Sequence, residues 1–145
     1  MTRPGESLPV AFDAENVSEL RSLFADQMRQ RPGIWLPTPY LRSVDTWLHG
    51  LEMGCPATLV RMFWTWLVVR VGCEMSTGTP GLISHIAGIS GTARTPAEDV
   101  HVWETFCDLM DEFLGEYAEL GAAEGIATRY REWKDSDLPC PIHDC

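Results

Sequence analysis

The sequence is short of positive charge. Its 145 residues hold 11 Lys and Arg against 21 Asp and Glu, for a formal net charge of −10, and Lys134 is the single lysine. That balance disfavours nucleic-acid phosphate and anionic membrane surfaces as direct partners, because both reward cations. Long hydrophobic runs are missing as well. The most apolar stretch, residues 57–71, is too short to span a bilayer and carries Arg61 and Arg70. No self-similar period is present, which argues against a repeat architecture. Neither a P-loop nor a dinucleotide glycine pattern occurs. Gly88-Ile89-Ser90-Gly91 lacks the Gly-x-Ser-x-Gly elbow that would expose a serine nucleophile, so Ser84, His85 and Ser90 carry no catalytic signature. The five cysteines are odd in number, and the polar start Met1-Thr-Arg-Pro-Gly-Glu has no signal-peptide pattern. A reduced, cytoplasmic setting is the expectation.

What remains is apolar enough to fold. Hydrophobic residues make up 45% of the chain and include six tryptophans, which argues against disorder. A chain of this size buries about two-thirds of its unfolded surface in one core, so a single helical domain over residues 1–145 is expected. Residues 1–12 read as a flexible lead-in and residues 135–145 as an irregular tail.

The periodicity predicts an all-α, compact bundle of about five helices. The first is capped by Asp13 or Asn16 and carries a stripe of Val17, Leu20, Phe24 and Met28, with Glu19, Arg21, Asp26 and Arg29 as an ordinary solvated side. Residues 34–39, rich in proline, read as a packed connector. Thr38 and Pro39 open a second helix through Leu41, Val44, Leu48 and Leu51. Pro56 opens a third, apolar almost all round, as a central helix should be. A strand over residues 64–71 is the competing reading there, because Val-rich runs favour strands. Thr79 and Pro80 start a short helix that Gly88 and Gly91 end.

The longest element is the acidic one, over residues 95–134. Thr95-Pro96-Ala97-Glu98 has the form of a capping box with proline at the first helical position, an arrangement worth about 1 kcal/mol. Val100, Trp103, Cys107, Met110, Leu114, Tyr117 and Gly121 follow as an apolar stripe. A break is expected at Gly121 or Gly125. Gly115, Ala118, Ala122 and Gly125 form a small-residue ridge on which another helix could pack closely. The outer side carries Glu98, Asp99, Glu104, Asp108, Asp111, Glu112, Glu116, Glu119 and Glu124, with no Lys or Arg between Arg94 and Arg129. Like charges at helical neighbour spacing cost a few tenths of a kcal/mol per pair, about 1 to 2.5 kcal/mol together here.

Two groups of side chains could carry metal chemistry. Cys140, His143 and Cys145 place three zinc-type ligands in the tail, but tetrahedral zinc needs a fourth and the spacing matches no strong signature. Glu98 and His101 stand three apart, as in the helical motif of di-iron carboxylate bundles. The companion pair, His49 and Glu52, comes in reversed order, so that match is poor. No metal or other cofactor is therefore expected. The concentrated acidity is the more distinctive feature, because such a face speeds and discriminates encounter with a basic partner. The expectation is a non-enzymatic protein-binding factor of the inhibitor, immunity, antitoxin or anti-defence type. It would dock on a basic protein surface through Glu104, Asp108, Asp111, Glu112, Glu116 and Glu119. A small helical metal-binding protein or enzyme using His, Glu or Cys, and a subunit of a larger assembly, a homo-oligomer included, are the alternatives.

Overall fold

The computed structural model describes residues 14–30, 48, 57–89, 95–119 and 121–140. Among them are five α-helices and no strand: α1 (Ala14–Leu23), α2 (Ala57–Val71), α3 (Gly78–Ile86), α4 (Pro96–Tyr117) and α5 (Ala122–Asp135). The chain is an all-α bundle. The proline-rich connector, the glycine-containing link 90–94 and nearly all of the second expected helix lie outside the described residues. Leu48, from that helix, is helical and buried.

α1 does not stop at Leu23 but widens into a π-helical turn, Phe24–Met28, closed by the Arg29 amide donating to the Phe24 carbonyl at 3.0 Å. Such i to i+5 turns occur as single bulges within α-helices. Val17, Phe24 and Met28 face inward, as the expected stripe requires. α2 is helix throughout, so the strand reading of residues 64–71 does not hold. It packs against α3, α4 and α5, while α4 meets all the other described helices, so α2 and α4 share the centre. Thr65 in its middle satisfies its hydroxyl by donating to the Arg61 carbonyl at 2.8 Å. α3 begins two residues earlier than expected, after Thr77 rather than Thr79, and Thr77 makes no side-chain cap bond. Gly88, at φ +77°, follows its end in the left-handed region where glycine is favoured.

α4 supplies most of the core. Thr95 is extended at φ −118° and ψ 155°, its hydroxyl accepts from the Glu98 amide and its own amide donates to the Glu98 carboxylate, each at 3.1 Å. Both halves of the capping box are thus present. Its inward face is Val102, Trp103, Phe106, Leu109, Met110, Phe113 and Leu114. Val100, expected on the stripe, is 44% exposed. The inward face begins one residue pair later, at Val102 and Trp103. Phe106 meets Phe24 and Phe63 edge-on at centroid distances of 5.6 and 6.1 Å, and Phe63 packs on Phe113 at 5.2 Å. Side chains of α1, α2 and α4 therefore interlock around a cluster of rings, an arrangement that adds to their area burial.

The acidic stretch breaks where glycine allows it. Gly121, at φ +76°, precedes α5, which turns back onto α2. A Cβ on Gly125 would meet only open space, and one on Gly115 would meet the Arg21 guanidinium at 3.2 Å. The small-residue ridge is therefore not a seat for another helix; at Gly115 it admits an arginine head instead. α5 runs to Asp135, and the tail from Ser136 to Cys140 is irregular. Cys140 is joined to Cys73 by a disulfide across a sequence separation of 67. That bond corrects the expectation of reduced thiols for these two residues. No described helix is long and apolar enough to cross a membrane.

Candidate protein-binding face

The six acids expected at the face, five on α4 and Glu119 just past its end, fall into two groups. Asp108, Asp111, Glu112 and Glu116 are each held by an arginine from another helix or its continuation. Arg21 of α1 grips Asp111 with both faces of the fork, Nε to Oδ1 at 2.6 Å and Nη2 to Oδ2 at 3.2 Å. Arg29, just past the π-helical turn, pairs with Asp108, Arg70 of α2 with Glu112, and Arg129 of α5 with Glu116. Glu116 also accepts from the Trp66 indole at 2.9 Å. The second group, Glu104 and Glu119, is exposed and forms no ion pair among the described residues, although Glu104 lies in the field of Arg29 and helps raise its guanidinium.

The pairing follows from helix direction. Residues 21 and 24 lie against 111 and 106, and the Trp103 indole donates to the Met28 carbonyl at 3.2 Å. α1 therefore runs opposite to α4, and its two arginines, eight residues apart, reach acids three apart on the facing helix. The like-charge cost inside α4 is relieved by tertiary cations rather than local ones. The hydrogen bond from Arg21 holds the Asp111 carboxyl below the usual carboxylate range, and the same bond raises the Arg21 guanidinium.

Arg21 and Arg29 read from sequence as solvated. The available signal is the imbalance itself: an acidic helix with no basic residue of its own requires cations from its neighbours, and α1 and α2 carry them.

The other candidate groups are occupied or buried. Glu98 is committed to the capping box, and His101 donates from Nε2 to the Ala87 carbonyl at 2.9 Å. Cys140 is consumed by the disulfide, so it cannot serve as a thiolate ligand, which removes one member of the tail trio. His143, Cys145, His49 and Glu52 lie outside the described residues. Among the described residues no three His, Cys, Asp or Glu side chains come together as a metal site. Cys107 is enclosed on α4, and burial pushes its thiol up to about 12, which leaves it protonated and unreactive at neutral pH. Ser84 is buried with no partner for its hydroxyl among the described residues.

Two depressions flank the seat of α5 on α2. One, of about 220 Å³, is lined by Trp66, Val69, Ile126 and the two ion pairs Arg70–Glu112 and Arg129–Glu116. The Arg70 guanidinium also lies over the Trp66 ring, 5.1 Å from its centroid. The other, of about 470 Å³, is lined by Met62, Trp64, Ala127 and Tyr130, with Arg61 and Arg131 beside them.

Fold and face together define an all-α bundle built on an arginine-clamped acidic helix. No family model, curated protein or solved structure matches the chain.

Proposed function

We propose that the chain is a non-enzymatic binding factor that docks on a basic surface of a partner protein, as inhibitors, immunity or antitoxin factors and anti-defence proteins do. The observation that carries the reading is the surplus of carboxylate left after the internal pairs are formed. Arg21, Arg29, Arg70 and Arg129 are spent on α4 and Lys134 on Glu74. Glu104 and Glu119, with Glu124 beyond the turn, keep their charge toward solvent. Such unpaired surface charge steers association and discriminates among partners more than it adds affinity. Of the six acids expected at the face, Glu104 and Glu119 are the proposed contacts. The four paired acids hold the helix in place behind them.

The test is capture from an extract of the native host, at low and high salt, with the wild-type chain and with Glu104→Gln/Glu119→Gln as baits. A basic protein should be retained by the wild type, released by salt and lost to the double variant. Equal capture by the two baits would remove the basis of the reading.

Location divides into two readings. A cytoplasmic setting follows from the odd cysteine count. The Cys73–Cys140 disulfide favours an oxidising one, because such bonds are rare in reducing compartments. Counting free thiols in protein taken from its host, alkylated before lysis, decides between them.

A further inference from the structure

Among the described residues, Arg61 and Arg131 stand apart from the other cations. Arg21, Arg29, Arg70, Arg129 and Lys134 each sit on a carboxylate. Among the described residues, Arg61 and Arg131 have none, and both line the groove of about 470 Å³ between α2 and α5. In a chain with 21 acids to 11 cations, two arginines beside one groove with no acid partner among the described residues call for an anion from outside.

We propose that this groove binds a small organic carboxylate with a flat apolar body. The body rests on Trp64, Met62 and Tyr130, and the carboxylate is taken by the Arg61 and Arg131 guanidinium groups. The lining supports that division. Tyr130 turns its hydroxyl to Glu74 and packs its ring against Trp64 at a centroid distance of 5.9 Å, so it offers the groove a ring rather than a donor. The Thr65 hydroxyl is already engaged by the Arg61 carbonyl. Among the described residues, the Arg131 guanidinium donates a hydrogen bond to the Thr128 hydroxyl, at 3.3 Å, and to no carboxylate. The charged recognition is therefore left to two planar forks, the group best suited to a carboxylate, beside the Trp64 indole and an apolar floor that can stack on a ring.

Size favours a small molecule over a protein segment. Ligand pockets run from roughly 300 to 1,000 Å³. The lining spans residues 61–65 and 127–131, little more than one turn of each helix. A docked amphipathic helix would need anchors spread over two turns.

The probe is 2-naphthoate, with 2-naphthamide as its uncharged counterpart. Binding is measured by calorimetry on the full chain and by the shift of the Trp64 indole resonance. Saturable binding of the naphthoate is expected, weaker by about tenfold or more for the amide and for Arg61→Gln/Arg131→Gln, in line with loss of a charged hydrogen-bond pair. The double variant should melt as the wild type does, since neither side chain holds an ion pair among the described residues. Equal affinity for acid and amide, binding indifferent to the arginine changes, or no saturable binding would each overturn the proposal. So would a wild-type dimer in sedimentation that the double variant abolishes, which would assign the groove to a second copy of the chain.

Discussion

The two depressions beside α5 are built from the same helices and differ in one respect. On one side Arg70 and Arg129 each meet a glutamate of α4, and a tryptophan indole completes the set. On the other, Arg61 and Arg131 border an apolar groove with no acid among the described residues. α4 reaches the first side and not the second. Arginines that α4 can reach hold the fold together, and those it cannot reach are left for something else. The same division runs along α4 and just past its end, where Asp108, Asp111, Glu112 and Glu116 are in ion pairs and Glu104 and Glu119 are not.

The comparison can be broken at its frame first. The disulfide joins the residue just beyond α2 to the tail beyond α5 and so pins both sides of the contact. Cys73→Ser should cost on the order of 4 kcal/mol by loop-closure entropy, read as a lower denaturant midpoint. Reduction of the wild type should reproduce that loss and leave the variant unchanged.

Next comes the balanced side. Glu116→Ala removes the Arg129 pair and leaves the Trp66 indole without its acceptor, and an unmet buried donor costs roughly 1 to 3 kcal/mol. If urea melts show no loss, the clamp is not a stabilising device.

A smaller effect is expected at Asp111, whose pair with Arg21 is nearly half exposed and is worth about 0.2 to 1 kcal/mol. Because the folded carboxyl is depressed, its contribution is complete above the unfolded value of about 3.9 and is lost as pH falls through the lower folded one. Asp111→Asn should therefore be less stable than the wild type at neutral pH, with the gap narrowing in melts taken at increasingly acidic pH.

Smallest of all should be Arg61→Gln/Arg131→Gln, within about 0.5 kcal/mol of wild type in the absence of ligand. A large loss there would erase the contrast between the two sides.

Much of the fold was legible because its signals are local. The capping box at Thr95 and Glu98, the helical character of residues 57–71, the inward stripe of Val17, Phe24 and Met28, and a break near Gly121 all depend on residues a few positions apart. What escaped depends on distant ones. The arginine partners of Asp108, Asp111, Glu112 and Glu116 follow from which helices face α4 and in which direction. The Cys73–Cys140 bond is one pairing among many that five cysteines allow. Val100 was misplaced for a related reason: periodicity gives the phase of a helix but not where along its length a neighbour begins to cover it. The candidate face was visible as composition, and its division into paired and unpaired acids was not.

The bond between Cys73 and Cys140 turns α3, α4 and α5 into a closed ring of chain. A protease that nicks the backbone once anywhere inside that ring produces no separate fragments. The two pieces migrate as one molecule until a reductant is added, and only then does the gel reveal the cut.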